Sequence, residues 1–575
     1  PYVKAIRWAS DRIKEEGVVA LVTNSGFVDG IATDGMRAHL VSDFDEIFIL
    51  DLGGNVRKNP KLSGTTHNVF GIQVGVSINL FVRRNILKEQ RICKIYYAKC
   101  ETGWTRWQKY DWLEQIDRIS GTQWSPLAPD AANRWLSEGS SQGFENFVSI
   151  EAIFEKQSRG IATSRDAWAY NFNRDSVSEN IQKTMAFYND EVGRWQGRSA
   201  SDPEPDIDKF VRCDDTSIGW SRDLKQDLQR ERRATFSESK IRKSLYRPFA
   251  RLAVFFDRVL NEEVYVFPSF LPTEATEAEN ILVCLTGPGS EKPFLALAAH
   301  QLVDLHLSGA GCSTQCFPFY TYAEDGTHRR ENITDWALEQ FPARYGDRSI
   351  TKWDICHYIY AVLHHPEYRE RYAANLRREL PRIPFTSATP SIDCHPEERS
   401  DEGSAVRGAA KMQIPRSARD DNAERVSASS ASSAVQDLDV FRQQVKAGRC
   451  LAEIQVHYES QPEYALTKTE KPGKQLDWRV SKMRLSKNKT TLIYNDFLTL
   501  SGIPPAAYEY RLGNRSALEW VVDQYQVSTD KRSGTTNDPN RADDQEYIVR
   551  LIGRVISVSP ETVKIVNNLP SLGIQ

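Results

Sequence analysis

Nowhere in these 575 residues is there a run of about 18 consecutive apolar residues, the length a membrane-spanning helix needs. The sequence therefore implies no membrane partner. Cysteine is sparse: nine residues are scattered along the chain. Cys312 and Cys316 form a close pair, but no second pair stands at zinc-site spacing, so free thiols in a reducing cytoplasm are expected and no metal site is assigned. There is no excess of positive charge either. The net charge is −3, so any nucleic-acid surface must be local rather than global. A glycine-rich phosphate loop and a nucleophile elbow are both missing, which removes the commonest nucleotide-hydrolysing and acyl-transferring classes. No catalytic residue is assigned.

What is present suits a globular chain, with 40% hydrophobic and 26% charged residues. Its length exceeds one core and points to about three or four domains. The chain opens at Pro1 and enters a helix, with Val3, Ile6, Ala9 and Ile13 on one stripe. The nearly all-apolar run Gly17–Thr23 is expected to be a parallel strand buried on both faces. A helix over about Asp34–Ser42, a second buried strand over Glu46–Leu52, and a strand from Val74 to Val82 follow. Ile92–Ala98 adds another. Parallel strands are joined by crossover helices, so an opening helix implies a preceding strand. The chain is accordingly expected to be a C-terminal fragment that begins inside an α/β domain.

Four regions separate by composition: 1–100, 101–385, 386–436 and 437–575. The second is rich in aromatics and arginine and is expected to be α+β, with strands at Leu252–Phe256 and Ile281–Leu285. It closes in a helical stretch from about Thr351 to Leu380 that Pro366 divides. The third combines a mixed-charge run, His395–Glu402, with a Ser/Ala tract, Ser427–Ser433. Such composition offers little core to offset chain entropy, so a disordered linker or insertion is expected. The fourth recovers helical periodicity around Phe441, Leu518–Val522 and Tyr547–Ile552.

Candidate chemistry is confined to loops. Thr23-Asn24-Ser25-Gly26 follows the first strand, where open α/β sheets bind ligands, though Asn and Gly equally serve a plain turn. The loop Gly53–Phe70 is long for a compact domain. It carries Arg57, Lys58 and Lys61, then Thr65, His67 and Asn68, groups that suit phosphate oxygens and an extruded base. The alternative is a solvated loop. Arginine and aromatics interleave through Arg165, Trp168, Tyr170 and Arg174, and at Tyr246-Arg247, where Arg can read guanine or phosphate and aromatics can either stack on bases or build core. Lys240–Lys243 is taken as a solvated helix face. Arg479, Lys482, Arg484, Lys487 and Lys489 form the densest basic cluster. Lys531 and Arg532 head a second polar loop. Asp354, His357 and His364 share a helix face, but two histidines two turns apart, about 10 Å, cannot hold one ion, so a surface or packing role is expected.

Together these segments resemble one family. Gly17–Ser25, Ile47–Leu52 and Val76–Val82 resemble the later motifs of an adenine-N6 DNA methyltransferase, in whose fold the last strand is antiparallel. Ser164–Phe172, Tyr246–Phe249, Tyr358–Arg369, Leu512–Trp520 and the loop Lys531–Asn540 resemble the C-terminal part of single-chain Type I-like (Type ISP) restriction-modification enzymes. The resemblance covers nearly the whole chain except about 390–435. It implies an α/β region, the C-terminal half of a Rossmann-like methyltransferase sheet. An α+β DNA-recognition (specificity) domain and a helical C-terminal region would follow. The implied partner is double-stranded DNA, together with methyltransferase, helicase and nuclease regions upstream in a longer chain. S-adenosylmethionine is implied for the complete enzyme, at a site upstream of Pro1. The family's Asn-Pro-Pro-Tyr motif is not in this sequence, so no catalytic residue can be carried over.

The function expected is sequence-specific DNA recognition supporting adenine methylation and restriction. Two rivals stand beside it: a binding-only specificity module serving a separate catalytic subunit, and an unrelated α/β enzyme half with a carbohydrate- or protein-binding tail. This chain alone should transfer no methyl group. Incubation with labelled methyl donor and mixed DNA should leave label at background, and transfer above it would refute the fragment reading.

Overall fold

A computed structural model describes residues 2–55, 67–85, 92–101, 103–130, 133–136, 143–198, 206–290, 292–387 and 417–574, the side chains of residue 31 and of residues 417–434 excepted. The chain divides into two compact units, Pro1–Ser140 and Ser141–Gln575.

The first unit is built on one five-stranded sheet. Its elements are α1 (Tyr2–Ser10), β1 (Gly17–Asn24), α2 (Asp34–Asp43), β2 (Glu46–Asp51), β3 (Val76–Arg83), β4 (Lys94–Lys99), α3 (Arg106–Ile116) and β5 (Ser125–Leu127). The strand order is β1-β3-β2-β4-β5. β3 lies antiparallel between β1 and β2, while β2 and β4 run parallel. Ile47, Ile49, Phe81 and Ile95 fill the core beneath α1 and α2. Among the described residues β1 pairs with β3 alone, antiparallel, and Val18 and Val22 are 60% and 53% exposed, so the doubly buried parallel strand expected here is not seen within this chain. An apolar run reports β propensity but not whether the sheet continues beyond it.

The second unit holds three four-stranded sheets. The strands are β6 (Ser158–Arg159), β7 (Tyr170–Asn171), β8 (Ile241–Arg247), β9 (Ala250–Phe255), β10 (Leu282–Thr286), β11 (Ala296–Ala299), β12 (Leu302–Val303) and β13 (Thr314–Pro318). They pair as β12-β8-β9-β7 and β11-β10-β13-β6. Long α4 (Arg174–Gln196) buries Val177, Ile181, Tyr188 and Trp195 on one stripe. Lys240–Lys243 enters β8 instead of a helix. Arg242 is buried against Glu277, and Lys240 pairs with Asp257 at 2.7 Å. Ile241 and Arg242 are both buried and Lys243 is exposed, and the run of cations hid the strand.

Three helices follow, α5 (Lys352–Val362), α6 (Pro366–Arg371) and α7 (Ala373–Arg378), with Pro366 opening α6 as the sequence required. Of the 386–436 segment, 388–416 lies outside the described residues, and α8 spans Ser417–Val456. The region expected to be helical carries α9 (Ala517–Gln524) and α10 (Tyr547–Asn567), but also a sheet. Its strands are β14 (Thr467–Glu470), β15 (Arg484–Leu485), β16 (Thr491–Ile493) and β17 (Leu498–Ser501), in the order β14-β17-β16-β15. Strands of two to four residues are too short to show a period.

α5 and α8 cross at Gly448. A Cβ there would stand 1.8 Å from the carbonyl oxygen of His357. An exposed helical Gly→Ala change would gain about 1 kcal/mol of propensity, whereas overpacking a helix contact costs about 2–3 kcal/mol. Gly448→Ala is therefore expected to destabilise the second unit by about 1–2 kcal/mol net. A shift to lower denaturant midpoint would show it, and an unchanged or higher midpoint would refute the close-approach argument.

Candidate nucleic-acid interface

In the first unit a cavity of about 220 Å³ opens beyond the carboxyl ends of β1, β2 and β4, lined by Ser25, Gly26, Asp51, Tyr97 and Lys109 among others. Asn24 Oδ1 accepts the Gly26 N–H at 2.7 Å to make the turn, and Ser25 and Gly26 face the cavity. Asp51 accepts from the Gly53 N–H and the Tyr97 hydroxyl, each at 2.9 Å. Lys109 is buried and donates to the His67 carbonyl at 2.5 Å, and burial pulls its ammonium below the usual lysine range.

Of the loop residues, Arg57, Lys58, Lys61 and Thr65 lie outside the described residues. His67 is half-buried, with Nδ1 3.4 Å from the Trp104 carbonyl. Asn68 is 1% exposed, and its role is internal. Its Nδ2 donates to the carbonyls of Gly54 and Val74, and its Oδ1 accepts from the N–H groups of Phe70 and Ile72. Gly54 must be glycine, because its φ is +77° and a Cβ would meet the His67 carbonyl at 2.7 Å. The clamp leaves Phe70 60% exposed, a presentation the sequence did not announce.

In the second unit the three arginines of the aromatic segments prove to be engaged internally. Arg165 is 2% exposed. It donates to the carbonyls of Thr163 and Leu260 at 3.0 Å and to Ser221 Oγ, with Glu262 at 3.5 Å. Burial lowers its pKa to about 10. Arg247 pairs with Asp304 at 2.7 Å and stacks on Tyr246. Burial pushes the Asp304 carboxyl up to about 6 despite that pair. The reading of Arg165 as a base reader and of Arg247 as a DNA contact is corrected, since a guanidinium held by its own chain's hydrogen bonds and ion pairs cannot reach DNA without breaking them. Arg174 is half-exposed but held between Glu238 and Glu274, each at 3.8 Å.

The two basic loops, 50 residues apart in sequence, are neighbours. β15 and β16 form one hairpin. A second joins β18 (Ser528–Thr529) to β19 (Thr536–Asn537). Asn540 holds them together, accepting the Val480 N–H at 2.7 Å and donating to the Val480 carbonyl at 2.8 Å. Val527 N–H to the Ser481 carbonyl and an Arg479–Asp538 ion pair add to the seam. Asn171 Nδ2 and the Phe172 N–H then pin the second hairpin to β7 through the Thr536 carbonyl and Asn537 Oδ1. At its tip Asp530 Oδ1 accepts from the N–H groups of Arg532 and Ser533 and from the Ser533 hydroxyl. Those bonds, the Ser533 N–H foremost, lower the Asp530 pKa. Lys489 is drawn to Glu519 at 2.7 Å. Lys482, Arg484, Lys487, Lys531 and Arg532 are exposed and have no ion-pair partner among the described residues. The signal for the tip was available: Asp530 followed by Ser533-Gly534 is an Asx-type turn.

On the Asp354, His357, His364 face, Asp354 caps α5 through Thr351 and His364 Nδ1 lies 2.9 Å from the Tyr360 carbonyl, and no group of three or more metal-ligand side chains occurs among the described residues. Cys312 lies 2.8 Å from Ser290 Oγ, and the thiols of the described residues are free. No helix among the described residues is long and apolar enough to cross a membrane.

The family model of the Type ISP C-terminal specificity domain matches residues 152–390 and 433–551. The chain belongs to this family. Among solved structures it is similar to a nuclease-deletion mutant of the Type ISP restriction-modification enzyme LlaGI in complex with a DNA substrate mimic (30% identity, TM-score 0.79, covering 100% of this chain and 48% of that one). It is also similar to the ATP-dependent Type ISP enzyme LlaBIII bound to DNA (26%, 0.80, 100% and 34%) and to a DrdV–DNA complex (32%, 0.77, 99% and 52%). The chain thus spans about half the length of these proteins or less. No curated protein matches it.

If Arg165 is internal, Arg165→Ala should lower stability by about 3 kcal/mol, because it strands two carbonyls and a carboxylate. It should leave the DNA affinity of the folded protein unchanged. Chemical denaturation beside a binding titration checks both, and a loss of cognate affinity at unchanged stability would restore the base-reading role.

Proposed function

We propose that this chain is the DNA-recognition part of a Type ISP restriction-modification enzyme and supports adenine-N6 methylation and restriction by the whole protein. The observation that carries the reading is the seam at Asn540. It brings two hairpins together so that five unpaired cations share one neighbourhood in a chain of net charge −3. Lys and Arg on phosphates release counterions and position a protein on the duplex, while specificity needs contacts to base edges. The DNA in the complexes of the similar proteins supports the same reading.

For the first unit we infer the C-terminal part of a methyltransferase sheet, supported by antiparallel β3 between β1 and β2 and by a cavity at the strands' carboxyl ends. The loop clamped by Asn68 presents Phe70 as a surface on which an extruded base can stack. S-adenosylmethionine would supply the methyl group in the complete enzyme. The described residues include no glycine-rich loop for it, so no step here runs through that cofactor.

Changing Lys531 and Arg532 together to Ala should weaken binding to every duplex and flatten the dependence of log K on log salt by about one unit for each phosphate no longer neutralised. Lys482, Arg484 and Lys487 changed together should behave alike. Fluorescence anisotropy over a salt series measures it. If the unmodified chain shows no salt-sensitive binding to DNA, the proposal fails.

A further inference from the structure

Beside the α5–α8 crossing the second unit opens into a cleft of about 470 Å³, with His357 of α5 in its lining. That volume lies within the range of about 300–1,000 Å³ typical of small-molecule sites. α5 contributes Trp353 and His357. α8 and the residue after it contribute Arg449, Glu453 and His457, spaced four apart and so on one face. His300, between β11 and β12, closes the other side.

The polar groups in this cleft are unspent. His357 is 8% exposed, yet its Nδ1 has no hydrogen-bond partner. The rings of His300 and His457 meet edge to face at 5.9 Å, and neither makes a side-chain hydrogen bond among the described residues. Arg449 and Glu453 are exposed and have no ion pair there. A buried ring nitrogen without a partner costs free energy comparable to a broken hydrogen bond, so the site is incomplete by itself. A metal does not complete it, since no metal-ligand cluster of three occurs among the described residues. Burial pulls His300 and His357 down to about 4, leaving neutral imidazoles at pH 7, each with one donor and one acceptor. An anion trap would want them charged. A heteroaromatic ring edge wants them neutral.

We propose that the cleft binds a nucleotide, with Glu453 accepting from an exocyclic amine of the base, His357 and His300 bonding ring nitrogens, and Arg449 holding the phosphate at the rim. The Glu453 carboxylate repels a bare phosphate, so the base rather than the anion carries recognition. The nucleotide is either free or part of a strand.

Isothermal titration calorimetry of the whole chain distinguishes the sources, with AMP, adenosine, inorganic phosphate and a short single-stranded oligonucleotide as probes. Arg449→Ala and Glu453→Gln are exposed changes that keep the fold, checked by circular dichroism. AMP should bind and inorganic phosphate should not. Glu453→Gln should lower the affinity for both AMP and adenosine by about tenfold, the worth of one charge-assisted hydrogen bond. Arg449→Ala should lower only that for AMP. Oligonucleotide binding that Glu453→Gln weakens, with no AMP binding, would assign a strand nucleotide instead. If neither probe binds, or if both variants bind as the unmodified chain does, the proposal is overturned.

Discussion

The second unit depends on the crossing of α5 and α8, where the backbone of Gly448 lies against that of His357. Close approach places Gln455, two turns further along α8, inside the core. There its Oε1 accepts the Ala298 N–H and the Tyr360 hydroxyl, and its Nε2 donates to the Tyr510 hydroxyl. One buried amide thus joins a helix, a strand and a later loop, and its bonds gain strength from the low dielectric around them. The family match is interrupted between residues 390 and 433. α5 lies before that interruption and most of α8 after it, and their packing joins the two matched parts in one of the hydrophobic clusters.

The cations divide into two populations, and that division decides where the protein can meet an anion. Arg165 and Arg242 are buried, Arg247 and Arg251 partly so, and each is engaged by carboxylates or carbonyls of its own chain around the β7–β9 sheet. Of those on the two hairpins, Lys489 pairs with Glu519, while Lys482, Arg484, Lys487, Lys531 and Arg532 are exposed and have no ion-pair partner among the described residues. A net charge near zero therefore conceals a local surface with an unbalanced sign, and it is the hydrogen bonds of Asn540, not the composition, that assemble it.

The sequence was most legible where a period had room to repeat. α1, α2, α5, α9 and α10 carry apolar stripes long enough to count, and β2, β3, β9 and β10 are runs bounded by turn residues, while the long α4 went unread. Pro366 announced a helix break by its missing N–H. The short β15 and β16 could not be seen, because two or three residues carry no period. Lys240–Lys243 was misjudged because charge is usually a surface signal, and here buried carboxylates overrode it. Of the candidate DNA-binding residues, those on the hairpins remained free, while Asn68, Arg165 and Arg247 were already occupied by their own chain.

By itself the sequence determined the longer helices, the helix break at Pro366 and the family to which the chain belongs, because these depend on local propensity and on spacing along the chain. Only the tertiary structure decided that two basic loops 50 residues apart touch, which arginines are engaged in the interior, and that three histidines from distant segments share one cleft. Those facts rest on which groups find hydrogen-bond partners after the chain has closed on itself, and a partner's position in space is not written in its position in sequence.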